Sequence, residues 1–266
     1  DMYMYPMETA RAVEELGLRA HLSYTLFDQG GEERAALDRK RSYEYYEAFK
    51  GLSDRVTFTL GPHAIYTVSG EQLQFCHRFA VEHDVKINLH LAETKGEVDD
   101  CIRLHGTTPV RYLHQLGILS PHLVIAHVVW VDDEEMDLLA EHGVSVVHNP
   151  ASNMKLCSGY TFKYEEMKQR GIKLGIGTDG CSSSNNLDMV IAMKLASLLG
   201  KAWRFSPTAT KAADIYHSAT AGGAEILGLK AGKIAEGMLA DLSLVDLNVP
   251  ELVPLNNLTS NLVYAT

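Results

Sequence analysis

Strand-like apolar segments alternate with helical segments six times in the first two thirds of the chain. In the strand-like segments, apolar side chains recur at every second position or run without a break, whereas the segments between them have the apolar spacing of helices. Consecutive strands separated by a helix pair in parallel, because a parallel connection must cross over the sheet. The alternation therefore predicts an α/β fold in which helices cover a parallel sheet.

The six predicted strands leave two architectures open, an α/β barrel and a doubly wound open sheet. A complete (β/α)8 barrel of the TIM type needs eight strands, so this chain would lack the first one or two. The barrel is favoured because candidate polar groups end at least four strands, and they converge only if those strands close on a common axis. The predicted strands cover 19–26, 55–60, 122–130, 144–148 and 172–178, with a further strand in 85–93.

Helical spacing and capping signals predict the remaining elements. A break is expected in the fourth helix near Gly106 and Pro109, and Asp132 with Glu135 has the pattern of a capping box. The predicted helices cover 7–17, 33–51, 69–83, 97–116, 132–142, 161–170, 187–201 and 209–227.

Metal-binding side chains end three of the predicted strands. His90 lies near the end of the strand in 85–93, His127 ends Leu123-Val-Ile-Ala-His127, and Asp179 ends Ile172-Lys-Leu-Gly-Ile-Gly-Thr-Asp179. In a barrel the C-terminal ends of the strands form the active face. Neutral imidazoles and carboxylates bind divalent metals, and Glu93, three residues after His90, could move protons on a metal-bound water. The pattern predicts a metal hydrolase.

Single histidines carry little information in this chain, which has twelve of them. A single His is more often structural than catalytic, and most of the twelve fall in helices or loops away from strand ends. His63, His90, His127 and His148 differ because all four end strands. With Asp179 and Glu93 in matching positions, their placement favours a functional interpretation.

Several other catalytic patterns are absent from the sequence. There is no GxSxG nucleophile elbow, which disfavours a serine hydrolase, and no H-x-E with P-C-x-x-C pattern. Gly175-Ile-Gly-Thr-Asp-Gly180 lacks the lysine of a phosphate loop, so its glycines more plausibly give the backbone room. Ser182–Asn186 is either a polar turn before the next helix or a source of hydroxyls for a ligand.

Composition and charge restrict the partners and the compartment. The net charge of −10 disfavours nucleic acids and anionic membranes as partners. No apolar run approaches the length of a membrane span. The four cysteines are scattered without a CxxC pair, which favours a reduced, cytoplasmic protein.

The last part of the chain changes character. Gly232–Asp246 has the pattern of a hairpin that feeds an antiparallel strand, so a boundary is predicted near Gly228. Residues 1–228 would form the incomplete barrel, and 229–266 part of a small β domain. Ser260–Thr266 reads as an interrupted strand, and Asp1 is not an initiator Met. We therefore expect the numbered chain to be part of a longer polypeptide.

Five motifs follow one another along the chain: Pro62-His-Ala-Ile-Tyr-Thr67, His90-Leu-Ala-Glu93, Ala126-His-Val-Val-Trp130, His148-Asn-Pro-Ala-Ser-Asn153 and Gly177-Thr-Asp-Gly180. In this order they resemble the motifs of the amidohydrolase superfamily. The similarity is greatest to its 5′-methylthioadenosine/S-adenosylhomocysteine deaminase branch and covers nearly the whole chain. That resemblance implies a metal-dependent hydrolase barrel with a small composite β-sandwich domain, here truncated at both ends.

The resemblance implies hydrolytic deamination of an adenine nucleoside, in which a metal-activated water attacks the amino-bearing ring carbon and ammonia leaves. One Zn²⁺ is the implied cofactor, with Fe²⁺ or Mn²⁺ as alternatives, and relatives of this kind are commonly dimers or larger. Its implied metal ligands are His90, Asp179 and, as in some relatives, His127. The implied catalytic residues are Glu93, His127 and Asp179; the implied substrate-binding residues are His63, Glu93, Asn149 and Ser183.

One departure from the family pattern concerns the metal. The family carries an His-x-His pair on its first barrel strand, and no such pair occurs in this sequence. Two or three protein ligands are few for a catalytic zinc site. One alternative is therefore a catalytically incompetent fragment. For the substrate, the alternatives are a guanine-type deaminase or an s-triazine hydrolase with the same metal apparatus.

Overall fold

The computed structural model describes residues 1–2, 4–29 and 31–265 and contains a six-stranded sheet whose strands follow one another in chain order. Each strand overlaps a segment predicted as a strand, so the prediction of an α/β fold with a parallel sheet is confirmed. The strands are β1 (Ala20–Leu26), β2 (Val56–Pro62), β3 (Ile87–Leu91), β4 (Leu123–His127), β5 (Ser145–His148) and β6 (Leu174–Ile176).

Helices connect these strands and follow the last of them. The predicted break near Gly106 and Pro109 separates α4 from α5, and Thr220 separates α11 from α12, a break that was not predicted. In the described chain none of the helices has the length and hydropathy that crossing a bilayer requires. The helices are α1 (Pro6–Leu16), α2 (Glu32–Phe49), α3 (Gly70–His83), α4 (Lys95–His105), α5 (Pro109–Gln115), α6 (Asp133–Glu141), α7 (Pro150–Lys155), α8 (Tyr164–Gln169), α9 (Cys181–Ser184), α10 (Met189–Arg204), α11 (Ala212–Ala219), α12 (Ala221–Leu227) and α13 (Leu258–Tyr264).

The chain divides into two compact units, each described by itself. The first comprises Asp1–Leu91 with Gly96–Ile125, and the second comprises Ala92–Lys95 with the described chain from Ala126 onward. The predicted domain boundary near Gly228 remains a prediction.

The first unit is built on β1, β2 and β3. Parallel pairing of β1 with β2 runs from Ala20 opposite Val56 to Leu26 opposite Pro62. Aromatic side chains from three elements pack on this sheet: the Phe79 ring of α3 lies 5.6 Å from Tyr46 of α2 and 6.2 Å from Phe58 of β2. Edge-to-face rings at such distances stabilise a core beyond the area that they bury.

The second unit is built on β5 and β6, with helices α7 to α13 after β5. The two strands pair in parallel, with His148 opposite Ile176. A hydrogen bond of 2.8 Å between the hydroxyls of Tyr164 and Ser218 joins α8 to α11, and one of 2.7 Å between Ser197 and Tyr264 joins α10 to α13. The helices after β6 therefore belong to the same folded unit as the strand ends.

The chain after α12 differs from the strands predicted there. Across 229–265 the structure contains a 3-10 turn at Pro250–Leu252 and helix α13, and no strand among these described residues. Asn257 caps α13 by accepting from the Ser260 amide at 2.8 Å, so the interrupted strand predicted at 260–266 is wrong, with Thr266 outside the described residues. An isolated hairpin is only marginally stable, and Leu244 in the predicted one is 99% exposed. The composite β domain itself remains a prediction.

Candidate active site

The strand ends of the second unit carry unusual backbone. His127 at the end of β4 has φ of 75° and Val128 has 46°; Asp179 after β6 has 59°, and Ala92 has 50°. Left-handed backbone is uncommon outside glycine and is concentrated at functional sites, where the surrounding structure must hold it. Here the amides of Val129 and Trp130 both donate to the Ala92 carbonyl at 3.0 Å. These bonds fix the turn that ends β4 against the segment carrying Glu93.

His127 is the centre of a group of polar side chains and is 1% exposed. Its Nδ1 lies 2.7 Å from Asn153 Oδ1. An amide oxygen only accepts, so Nδ1 carries the proton and Nε2 presents its lone pair. That Nε2 is 3.7 Å from Glu93 Oε2 and 4.0 Å from Asp179 Oδ2. The structure thus brings together Glu93, His127 and Asp179, the three residues predicted to be catalytic.

Glu93 is held by a residue that sequence reasoning missed. The Ser158 hydroxyl donates to Glu93 Oε1 at 2.8 Å, and Ser158 is 2% exposed. Its carbonyl accepts from the Trp130 indole at 2.7 Å. Trp130 and Asn153 both lie inside family-like motifs, which was a signal for their importance but not for their contacts. Ser158 lies outside those motifs, and only the fold brings it to Glu93.

Asp179 is oriented by its own turn. The Gly180 amide donates to Asp179 Oδ1 at 2.7 Å, which leaves Oδ2 as the oxygen nearest to His127. Asp tolerates left-handed backbone better than most residues because its short polar side chain can bond locally. The conformation of Asp179 is therefore one that its residue type supports.

His90 and His63 lie together in the first unit, at the ends of β3 and β2. His90 Nδ1 donates to the His63 carbonyl at 2.8 Å, and the two rings are 5.1 Å apart. Imidazoles that bind metals through one nitrogen usually donate the other N–H in this way, which fixes the tautomer. His63 Nδ1 is in turn 2.9 Å from the Thr67 hydroxyl.

The other predicted residues lie at the end of β5 and in α9. Asn149 is 5% exposed, and its amide oxygen lies against Gly177. Ser183 is part of α9, where a polar turn was one of two predictions. His148 stacks on Phe162 with ring centroids 4.0 Å apart, and burial lowers its pKa to about 3, with a smaller contribution from His127. His148 is thus a neutral packing group.

The donor set tests whether these residues could hold a metal ion. His127, Glu93 and Asp179 supply an imidazole nitrogen and carboxylate oxygens, which are donors of the kind that zinc binds, within 3.7 and 4.0 Å of one another around His127 Nε2. Two donors about 2.0–2.2 Å from a tetrahedral zinc ion are about 3.3–3.6 Å apart, so the 4.0 Å between His127 Nε2 and Asp179 Oδ2 is longer than joint coordination of one ion requires. No group of three or more His, Cys, Asp or Glu within the described ranges is arranged to hold a metal ion. The donor types of these residues therefore fit part of a metal site, whereas their number and spacing here do not complete one.

The chain is similar to known proteins over nearly its whole length. The model of the amidohydrolase family matches residues 3–266. The chain is 44% identical to the 5-methylthioadenosine/S-adenosylhomocysteine deaminase of Thermococcus sibiricus and to the 5′-deoxyadenosine deaminase of Methanothermobacter thermautotrophicus; each match covers 100% of this chain and 62% of the relative.

A solved structure provides the same comparison in three dimensions. An adenosine deaminase from Xanthomonas campestris with bound zinc superposes with a TM-score of 0.93 at 33% identity, covering 99% of this chain and 61% of that one. The chain thus spans about three fifths of the length of the proteins that it matches.

Proposed function

The chain belongs to the amidohydrolase family, and from that premise we propose that it contributes the catalytic centre of a metal-dependent deaminase. The substrate would be an adenine nucleoside of the 5′-methylthioadenosine, S-adenosylhomocysteine or adenosine type. The enzyme class is that of hydrolases acting on C–N bonds of cyclic amidines. Names of the relatives support the substrate class, since they are deaminases of such nucleosides.

One observation carries the proposal, namely the meeting of two carboxylates and a buried imidazole in the second unit. Glu93 Oε2 and Asp179 Oδ2 lie 3.7 and 4.0 Å from His127 Nε2. Nucleoside deamination by water requires groups that move protons on both sides of the reacting carbon. A pair of carboxylates around a fixed imidazole supplies them.

Each of the three side chains has a distinct part in this chemistry. Asp179 takes a proton from the attacking water, and Glu93 gives a proton to the ring nitrogen, which makes the amino-bearing carbon electrophilic. His127 directs its Nδ1 proton to Asn153, so its Nε2 lone pair can either accept from the attacking water and orient it or coordinate the metal. A further proton transfer lets ammonia leave.

A divalent metal, with zinc first and Fe²⁺ or Mn²⁺ as alternatives, would supply the Lewis acidity that makes water nucleophilic at neutral pH. We propose His90, His127 and Asp179 as its ligands. The Nδ1 proton of His90 is committed to the His63 carbonyl, so His90 would coordinate through Nε2. His63, Asn149 and Ser183 remain predicted substrate contacts.

We also propose that the substrate is a small molecule, that the protein is cytoplasmic, and that it assembles into dimers or larger oligomers. The first follows from the named activities of the relatives. The location and the oligomeric state rest on the sequence and the family resemblance alone.

The decisive experiment combines metal analysis with an ultraviolet assay of adenosine-to-inosine conversion. Glu93→Gln should bind as much metal as the wild type but lose about 10²–10⁴-fold in kcat, the usual contribution of a positioned acid. Glu141→Gln, a change at an exposed glutamate of α6, is the control and should retain full turnover. Full activity of Glu93→Gln would remove Glu93 from the mechanism.

The same assay separates the alternatives. If the protein binds metal and turns over guanine or s-triazines but not adenine nucleosides, its substrate is that of another branch of the family. A chain with neither metal nor turnover would be a catalytically incompetent fragment.

A further inference from the structure

We propose that Ser158 is a positioning residue, whose hydroxyl holds the Glu93 carboxylate so that Oε2 is the oxygen that transfers the proton. The catalytic part of this inference rests on the proposed function. The conformational part, that Ser158 fixes the rotation of the Glu93 carboxylate, stands on the contacts of the second unit.

The two oxygens of Glu93 have different surroundings. Oε1 accepts from the Ser158 hydroxyl at 2.8 Å, whereas Oε2 lies 3.7 Å from His127 Nε2. A charge-assisted hydrogen bond is about twice as strong as one between neutral groups, so it selects one rotation of the carboxylate. With Oε1 committed to Ser158, a proton in transit is carried by Oε2, on the side of His127.

Ser158 can hold Glu93 because its own backbone is fixed at both ends. Its amide donates to the Asn153 carbonyl at 2.9 Å, and its carbonyl accepts from the Trp130 indole at 2.7 Å. The next residue, Gly159, has φ of 140°, and a Cβ there would lie 2.7 Å from Val129 Cγ1. The turn at Ser158 and Gly159 therefore packs closely on the loop after β4, and the Ser158 hydroxyl has little freedom to move.

The segment 153–158, which leads into this turn, also positions His127. Asn153 at its start holds His127 Nδ1 through its amide oxygen, and Ser158 at its end holds Glu93. The amides of Val129 and Trp130 join the loop after His127 to the carbonyl of Ala92, directly before Glu93. Together these bonds connect the backbone and side chain of the Glu93 segment to those of the His127 segment, and so hold the two side chains in their mutual orientation.

A merely structural serine would show a different pattern on mutation. If Ser158 only satisfied a buried hydrogen bond, its loss would lower stability and leave Glu93 in place. If it positions Glu93, its loss must change turnover more than substrate binding, and a residue that restores the hydroxyl must restore turnover.

The first test compares kcat and KM for adenosine among three variants. Ser158→Ala should lower kcat about 10–100-fold, since hydrogen bonds to charged groups contribute on that scale, with KM changed by less than about threefold. Ser158→Thr should recover most of the loss. Ser120→Ala is the control, because Ser120 is also buried and its hydroxyl has no hydrogen-bond partner among the residues that the structure describes; it should change neither constant.

The second test needs no activity. Crystal structures of Ser158→Ala and Ser158→Thr should show the Glu93 carboxylate rotated away from His127 in the first and retained in the second. An unmoved Glu93 in Ser158→Ala would overturn the proposal, as would unchanged kcat. If Ser158→Ala does not fold, Ser158→Cys, whose thiol is a weaker donor, replaces it in both tests.

The two tests distinguish the failure of each idea. A wild-type chain that binds metal but deaminates no nucleoside would contradict the proposed function. The rotation of Glu93 in the crystal structures would still decide whether Ser158 positions it.

Discussion

Gly177 and Asn149 meet where β5 and β6 end, and their packing leaves no room for another carbon. A Cβ on Gly177 would lie 2.3 Å from Asn149 Oδ1 and 3.0 Å from Val147 Cγ1. Gly177→Ala must therefore displace the Asn149 amide, a predicted substrate contact. Overpacking of this kind costs about 1–3 kcal/mol. We expect a lower free energy of unfolding in denaturant titrations, together with a raised KM.

Gly223→Ala is a matched control for this prediction. Apart from its own stretch of helix α12, a Cβ on Gly223 would have the Ser218 carbonyl oxygen, at 4.0 Å, as its nearest contact among the described residues. Since Ala favours a helix over Gly by about 0.8–1.0 kcal/mol, this variant should be as stable as the wild type or more so. Equal destabilisation of both variants would show that the Asn149 contact is not the cause.

At the scale of elements, the capping box of α6 shows how local sequence determines where a helix begins. The Glu135 amide donates to Asp132 Oδ1 at 2.9 Å, and the Asp132 amide donates to Glu135 Oε2 at 3.1 Å. This reciprocal pair was predicted from residue types and spacing alone and is confirmed. Local hydrogen bonds within four residues need no tertiary contact to form.

Asp132→Ala should destabilise the fold without removing any catalytic group. Loss of an N-cap side chain costs about 0.5–2 kcal/mol, and thermal or denaturant unfolding would measure it. Asp132→Ser keeps a capping oxygen and should be nearly neutral. If the serine variant were as unstable as the alanine variant, the cap would not explain the effect.

The whole molecule should lose stability in mild acid because of buried His148. Burial lowers its pKa to about 3 from an ordinary value of 6.5. Between these two pH values His148 is protonated in the unfolded chain but neutral in the folded one. The contribution of neutral His148 to the free energy of unfolding is therefore fully present above pH 6.5 and is lost as the pH falls from 6.5 toward 3. Between pH 7 and pH 5 the free energy of unfolding should fall by about 2 kcal/mol from this group.

His148→Gln isolates that contribution from those of other groups. His21, whose pKa is lowered to about 4 chiefly by burial, titrates in both proteins and cancels in the comparison. Denaturant titrations at pH 7 and pH 5 should show a smaller loss in the variant than in the wild type. Identical pH dependence would mean that His148 is not buried as a neutral group.

Tertiary packing also decided which of the locally predicted elements form in the structure. The alternating pattern in 232–246 predicted a hairpin, yet the described residues there form no strand. A strand pattern specifies which face of a sheet each side chain occupies, but the ladder itself needs a partner strand. The unpredicted break lies at Thr220, whose φ of −126° and ψ of −94° are not helical. Gly222, two residues later, lies so close to β6 that a Cβ would be 2.7 Å from the Leu174 carbonyl.

The sequence by itself determined the six strands, the family and the order of the polar strand ends His90, His127 and Asp179. Periodicity and strand-end position are local properties, and parallel strands place their C-terminal ends at one edge. Only the tertiary structure decided that Ser158 holds Glu93 and that Asn153 sets the tautomer of His127. Ser158 is 65 positions from Glu93 in the chain, and no periodicity encodes a hydrogen bond that depends on how distant segments pack.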